Sequence, residues 1–92
     1  MLYVDDIINI CHGKLICGKK KTPCTNFTSD TRTLNPGDVY VGMKGETYDV
    51  NTFYKEAIKK GAAVCILDNY EVLDKNYGKA VIILVDNSIE AI

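Results

Sequence analysis

The chain has 92 residues, of which 47% are apolar and 25% are charged, and this is the size and composition of one small globular domain. Eleven basic and 12 acidic residues give a net charge of −1, which argues against a nucleic-acid-binding protein. The longest apolar run, residues 80–85, is far shorter than the roughly 20 residues of a membrane span. No signal peptide is recognisable, because Asp5 and Asp6 interrupt the first apolar residues, so we expect a soluble, cytoplasmic protein.

A short amphipathic helix is the first predicted element. Val4, Ile7, Ile8 and Cys11 recur at helical spacing, and His12-Gly13 is a typical helix stop. His12, the single histidine, is therefore interpreted as a helix-terminal residue and not as a catalytic one.

Two extended segments and a turn follow. Lys14 to Cys17 and Cys24 to Thr28 are predicted strands, and the lysines between them, Lys19 to Lys21, are interpreted as a solvated turn. Asn35-Pro36-Gly37-Asp38 has the chemistry of a type II turn. The next strand, Val39 to Met43, is nearly all apolar, so we expect both of its faces to be buried.

The second half of the chain alternates helices and strands. Residues 51–60 form the clearest predicted helix, with Phe53, Tyr54, Ala57 and Ile58 on one face and Asp49 or Asn51 as its cap. The remaining predicted elements are a strand at 62–67, a helical turn within 70–77, a strand at 80–85, and a helix that begins after a cap at 86–88.

This alternation predicts an α/β fold, a three-layer sandwich whose mixed or mostly parallel sheet of about four or five strands has helices on both faces. The last predicted helix has no room to finish before Ile92. Residues 1–92 are thus expected to be a single domain and a fragment of a longer protein.

The four cysteines are Cys11, Cys17, Cys24 and Cys65, and no two of them form a C-x-x-C pair. Wide, irregular spacing argues against structural zinc, and we expect small buried thiols.

Two polar clusters flank the strand predicted at 39–43. The first is Ser29, Asp30, Thr31 and Arg32, and the second is Lys44, Gly45, Glu46 and Thr47. Strand ends are common ligand sites in α/β sheets, and hydroxyls, backbone N–H groups and a guanidinium suit phosphate oxygens. Alternatively, Asp30 closes an Asx-turn and Arg32 pairs with a nearby carboxylate. The residue types leave both interpretations open.

Several catalytic signatures are absent from the sequence. It contains no G-x-x-x-x-G-K-[ST] phosphate loop, no G-x-G-x-x-G fingerprint and no nucleophile elbow. We therefore expect a binding domain, without a complete catalytic site.

An ordered set of motifs resembles the N-terminal domain of the Mur ligases. The set comprises Ser29-Asp30-Thr31-Arg32, the segment from Pro36 to Glu46, the segment from Asp49 to Phe53, Ala57-Ile58 and Gly61-Ala62-Ala63. Val85 to Ser88 also resembles the segment that leads into the family's ATPase domain. Val50 departs from the family pattern, which usually has glycine there, and a β-branched residue resists the positive φ that glycine allows in a tight loop.

The resemblance implies a site for uridine diphosphate (UDP). Ser29, Asp30, Thr31 and Arg32 would line it, and Lys44, Gly45, Glu46 and Thr47 would form the facing loop. Asp49 and Asn51 would either contact the ligand or cap the following helix.

The resemblance also implies an activity for the longer protein. A full-length Mur ligase is an ATP-dependent amide ligase of peptidoglycan precursor synthesis, and the partner of this domain would be UDP-N-acetylmuramoyl-peptide. The stretch resembles the members that add D-alanyl-D-alanine, although the sibling members that add the third amino acid share most of the motif. ATP and Mg²⁺ would bind a central domain, so this chain would carry no cofactor and no catalytic group and would contact its own central and C-terminal domains. Two further alternatives are an interaction module without a small-molecule ligand and a different nucleotide-sensing α/β domain that shares the turn by chance.

Overall fold

The computed structural model describes residues 2–42, 50–73 and 80–86. Its helices are α1 (Val4–Cys11) and α2 (Tyr54–Lys59), with 3-10 turns at Val50–Phe53 and Tyr70–Val72. The strands are β1 (Leu2–Tyr3), β2 (Lys14–Cys17), β3 (Pro23–Cys24), β4 (Phe27–Thr28), β5 (Val39–Val41), β6 (Val64–Leu67) and β7 (Val81–Leu84).

The main sheet in the described residues has five strands in the order β2-β7-β6-β5-β4. Strands β4, β5, β6 and β7 are parallel, and β2 runs antiparallel to β7. A small antiparallel ladder joins β1 to β3. The mixed sheet confirms the predicted α/β class.

Both faces of this sheet are covered, because successive side chains of a strand point to opposite faces. Val39 and Val41 share a buried cluster with Val4 and Ile7 of α1. Tyr40 shares a second cluster with Tyr54 and Ala57 of α2, on the opposite face. The molecule thus has the predicted three layers, with one helix on each side.

The helix predicted at 51–60 differs in its first turn. Residues Val50–Phe53 form a 3-10 turn, and α2 begins only at Tyr54. The prediction that Asn51 caps α2 is wrong, because Asn51 lies inside the 3-10 turn and the N-cap of α2 is Phe53. A 3-10 turn advances about 120° per residue and an α-helix about 100°. Phe53 therefore leaves the predicted buried face and is 42% exposed.

The strand predicted at 24–28 is two strands in the structure. Pro23–Cys24 pairs with Leu2–Tyr3, whereas Phe27–Thr28 joins the main sheet beside β5. The Val39 N–H donates to the carbonyl of Asn26 at 2.7 Å, where the chain passes between the two strands. The two ends of the predicted segment therefore pair with different strands, β3 with β1 and β4 with β5.

The end of α1 also differs in detail from the prediction. His12, not Gly13, takes the left-handed conformation, with φ 53°. A Cβ at Gly13 would lie 2.7 Å from Ile83 Cγ2 and 2.9 Å from Val85 Cγ1. Gly13 therefore permits close packing against the sheet, and the turn itself is made by His12.

The other predicted elements agree within two residues where the structure describes them. The turn at 35–38 is present, with Gly37 at φ 92° and the Asp38 N–H donating to Asn35 O at 3.0 Å. Tyr70–Val72 is the described part of the turn predicted within 70–77. Residues 43, 74–79 and 87–92 lie outside the described ranges, and so does the final predicted helix.

The cysteines are all free, and three of them, Cys11, Cys24 and Cys65, are buried as expected, while Cys17 is partly exposed. Burial, with a smaller contribution from Cys17, raises the pKa of Cys65 to about 12. Within the described ranges, no helix combines the length and the apolar character needed to cross a bilayer.

Candidate functional site

The candidate site lies at the carboxyl edge of three neighbouring parallel strands. Strands β4, β5 and β6 are adjacent in the sheet and run in the same direction. The residues that directly follow them, Ser29, Gly42 and Asp68, therefore emerge at one edge. Ligands of open α/β sheets usually bind at such an edge.

The segment after β4 folds into a compact turn through its own side chains. Thr28 Oγ1 accepts the Asp30 N–H at 3.1 Å, and Asp30 Oδ1 accepts the Arg32 N–H at 2.9 Å. The Asp30 carbonyl also accepts the Thr33 N–H at 3.3 Å. Threonine and aspartate at these spacings favour such turns, because their short side chains reach backbone groups two residues away.

The turn holds a bidentate ion pair between Arg32 and Asp30. Arg32 Nε donates to Asp30 Oδ1 at 3.0 Å and Nη2 donates to Oδ2 at 2.9 Å. The Arg32 side chain is 86% exposed and that of Asp30 is 39% exposed. Hydrogen bonds from the Arg32 side chain and backbone hold the pKa of Asp30 below its ordinary value. This is the Asx-turn and ion pair that the sequence left open as an alternative to a ligand site.

Thr31 joins this turn to helix α2. Its hydroxyl donates to Glu56 Oε2 at 3.0 Å, and its carbonyl accepts the Lys60 ammonium at 2.9 Å. Neither Glu56 nor Lys60 was predicted from the sequence to belong to the site. Their i, i+4 spacing was the available signal, because it places both side chains on one face of the helix.

Asn51 lies at the ends of the next two strands and is fully buried. Its Nδ2 donates to Asp68 Oδ1 at 2.7 Å, and the Asp68 N–H donates to Asn51 Oδ1 at 3.0 Å. Gly42 packs against this pair, since a Cβ at Gly42 would lie 3.1 Å from Asn51 Oδ1 and 2.8 Å from Leu67 Cδ2. The sequence analysis missed Asp68, although a carboxylate directly after a buried strand was a usable signal.

The structure thus brings Asp30, Thr31 and Arg32 together in one turn, directly after the exposed Ser29. Asn51 belongs to the same edge of the sheet and is bonded to Asp68. The other predicted site residues, Lys44, Gly45, Glu46, Thr47 and Asp49, lie outside the described residues. The described part of this edge presents the exposed Ser29 and the exposed Arg32 guanidinium, whereas the N–H groups of Asp30 and Arg32 are bonded within the turn.

Comparison with known proteins identifies similar bacterial ligases. No family profile matches the chain. A UDP-N-acetylmuramoyl-L-alanyl-D-glutamate–2,6-diaminopimelate ligase of Prochlorococcus marinus is 38% identical over 65 residues, which are 71% of this chain and 13% of the relative. A UDP-N-acetylmuramoyl-tripeptide–D-alanyl-D-alanine ligase of Buchnera aphidicola is 32% identical over 66 residues, or 67% of this chain and 14% of the relative. The chain spans less than a fifth of the length of these relatives.

Solved structures share the fold. MurF from Acinetobacter baumannii superposes with a TM-score of 0.77 at 17% identity, over 97% of this chain and 19% of that one. MurF ligase from Thermotoga maritima, solved in complex with ADP, gives a TM-score of 0.58 at 29% identity over 71% of this chain and 14% of that one.

The sequence relatives and the shared three-layer fold agree with the motif resemblance. The chain is therefore a homologue of the Mur ligases, with the fold of a Mur ligase N-terminal domain.

Proposed function

We propose that this chain binds the UDP end of a UDP-N-acetylmuramoyl-peptide. The observation that carries the proposal is the Ser29–Arg32 turn, which stands at the carboxyl end of a parallel strand. The names of the relatives state that they act on UDP-N-acetylmuramoyl substrates. A ligand at this edge of the sheet would meet the exposed Ser29 hydroxyl and the exposed Arg32 guanidinium together.

Within this site, Arg32 is the residue that we propose for the diphosphate. A planar guanidinium matches phosphate oxygens in bidentate geometry. Two of its N–H groups already donate to Asp30, so Asp30 would orient the guanidinium in the free protein. Ser29 would add a hydroxyl contact, Thr31 would offer its hydroxyl oxygen as an acceptor while it donates to Glu56, and Lys44, Gly45, Glu46 and Thr47 would face them across the ligand. Asp49 and Asn51 are proposed for the same edge, Asn51 acting from its bonded position beside Asp68.

The full-length protein is proposed to be an ATP-dependent ligase that adds D-alanyl-D-alanine to the tripeptide precursor of peptidoglycan. The TM-score of 0.77 with MurF and the 32% identity to a D-alanyl-D-alanine ligase support this choice. The 38% identity to a diaminopimelate ligase favours the sibling activity, addition of the third amino acid, as the second candidate.

Residues 1–92 would act as the substrate-binding domain of this longer, cytoplasmic enzyme. ATP and Mg²⁺ would bind the central domain, and a related MurF ligase solved in complex with ADP supports adenine-nucleotide binding by the longer protein. The domain itself would be non-catalytic and would contact its own central and C-terminal domains. Its contribution would be positional, because binding a remote part of the substrate helps to place the reacting carboxylate.

An Arg32→Ala substitution tests the proposal. We expect UDP affinity, measured by calorimetry on the 92-residue chain, to fall about tenfold or more, since hydrogen bonds to charged groups contribute about 1.5–3 kcal/mol. The free energy of unfolding should change by less than about 0.5 kcal/mol, because Arg32 is exposed.

Lys20→Ala is the matched control, because Lys20 is also an exposed cation and lies in the turn between β2 and β3. Its UDP affinity should equal that of the unmodified chain. Unchanged affinity in Arg32→Ala, or unfolding of that variant, would contradict the proposed role of Arg32. Absence of UDP binding in the unmodified chain would favour the interaction module.

A further inference from the structure

We propose that Glu56 of α2 and Lys60, the C-cap residue of this helix, are positioning residues, which hold the Ser29–Arg32 turn in the shape that receives a nucleoside diphosphate. The inference rests on the proposed function. It adds two residues on a separate element, neither of which was predicted to touch the ligand.

The contacts converge on Thr31, the residue between Asp30 and Arg32. Its hydroxyl donates a hydrogen bond to the Glu56 carboxylate, and its backbone carbonyl accepts one from the Lys60 ammonium. The side chain and the backbone of Thr31 are therefore both bonded to α2 and its C-cap. The peptide groups of Thr31 connect directly to Asp30 and Arg32. Displacing Thr31 would consequently move the Asp30 carboxylate and the Arg32 guanidinium as well.

The contacts of Thr31 with Glu56 and Lys60 join residues that are far apart in the sequence. Thr31 is 25 residues from Glu56 and 29 residues from Lys60. The bonds within the turn, by contrast, join residues two or three positions apart. The local bonds fix the shape of the turn, whereas Glu56 and Lys60 fix its place relative to the body of the domain.

Because Glu56 and Lys60 carry opposite charges, substituting each of them distinguishes a positioning role from electrostatic attraction of the ligand. Lys60 acts electrostatically on the turn, since it helps to lower the pKa of Asp30. If both residues acted only through their fields on an anionic ligand, removing the positive charge would weaken binding and removing the negative charge would strengthen it. If both hold the turn in place, either removal weakens binding.

The experiment measures UDP affinity by calorimetry for the 92-residue chain and for Lys60→Met, Glu56→Gln and Lys59→Met. We expect Lys60→Met and Glu56→Gln each to weaken binding about three- to tenfold. Lys59→Met is the matched control, because Lys59 precedes Lys60 on the same exposed helix end and its side chain makes no hydrogen bond or ion pair with described residues. Its affinity should be unchanged.

Two further measurements distinguish a local displacement of the turn from a loss of stability. The thermal midpoints of all variants should stay close to that of the unmodified chain, because Glu56 and Lys60 are exposed. In the absence of UDP, the amide signals of Thr31 to Thr33 should shift in Lys60→Met and Glu56→Gln and remain in place in Lys59→Met.

Each contrary outcome has a distinct meaning. Tighter binding by Glu56→Gln together with weaker binding by Lys60→Met would overturn positioning in favour of electrostatic attraction. Unchanged affinity in both variants would overturn the inference and leave the proposed function standing. A lack of UDP binding by the unmodified chain would overturn the proposed function, and with it this inference.

Discussion

Asp30 is the residue on which the local structure of the candidate site depends most. Its carboxylate accepts the Arg32 backbone N–H and two N–H groups of the Arg32 guanidinium. The turn is therefore ordered by its own residues before any ligand is considered. A structural role and a binding role for Asp30 and Arg32 are compatible, because a guanidinium that is already oriented loses less conformational freedom when it binds a ligand.

The first prediction concerns the titration of Asp30. Because the Arg32 side chain is the main cause of the lowered pKa, Arg32→Gln should raise the pKa of Asp30 toward its ordinary value of 3.8. The rise should be partial, since the Arg32 backbone N–H remains. The lowered pKa means that the bonded carboxylate is present at neutral pH and is lost as the pH falls through the folded-state pKa, which lies below 3.8.

Carboxyl-carbon NMR as a function of pH measures this titration directly. Lys20→Gln, which removes an exposed cation elsewhere on the surface, should leave the Asp30 curve in place. A midpoint at or above 3.8 for Asp30 in the unmodified chain would refute the ion-pair geometry.

The second prediction concerns the buried amide of Asn51. Asn51→Ala should lower the free energy of unfolding by about 1–3 kcal/mol, because it leaves the Asp68 N–H and carboxylate without their partner. Asn26→Ala, at an exposed position, should change it by less than about 0.5 kcal/mol. Urea unfolding of both variants makes the comparison, and equal effects would show that the Asn51–Asp68 pair contributes nothing specific.

At the scale of elements, periodicity correctly predicted the helices and strands whose packing in the folded chain agrees with their local sequence pattern. Helix α1 and strand β2 have the predicted bounds, and β6 and β7 lie within the predicted runs. The 3-10 turn at Val50–Phe53 was not predictable, because it coincides with a bond from Asn51 to a residue 17 positions away. The division of residues 24–28 into two strands was not predictable either, because it depends on which distant strand pairs with each half.

The third prediction concerns two glycines that share a backbone conformation but differ in their surroundings. Gly18 and Gly37 have φ of 100° and 92°. A Cβ at Gly37 meets nothing within 4 Å, whereas one at Gly18 would lie 2.7 Å from Val81 Cα. Gly37→Ala should cost about 1–2 kcal/mol of stability from backbone strain alone. Gly18→Ala should cost about 1–3 kcal/mol more, because the Val81 backbone cannot easily move aside.

Urea unfolding separates the two contributions, since the Gly37 variant measures the strain without the overlap. Equal losses of stability in Gly18→Ala and Gly37→Ala would show that β2 can move away from β7 at little cost. That result would contradict the close approach of these strands.

At the scale of the whole molecule, the alternation of strands and helices predicted a mixed or mostly parallel sheet, and two uninterrupted apolar runs, at 62–67 and 80–85, predicted two of its strands. They became the neighbouring strands β6 and β7. The antiparallel position of β2 at the edge was not predictable, because strand order depends on contacts between distant segments. The same dependence on distant contacts applies to the site. Residue types singled out Ser29 to Arg32, whereas the bonds of Glu56 and Lys60 to Thr31 and of Asp68 to Asn51 became visible only in the folded chain.

The most direct test of the account is an amide NMR titration of the 92-residue chain with UDP-N-acetylmuramoyl-tripeptide, with millimolar UDP as the minimal ligand. We expect both ligands to shift the signals of Ser29 to Arg32 and of Lys44 to Thr47. Lys19 to Lys21, an exposed cationic turn outside the candidate site, provides the internal reference for non-specific attraction of anions. Unchanged signals in the two loops, or shifts confined to the lysine turn, would contradict the central claim that this edge of the sheet binds UDP.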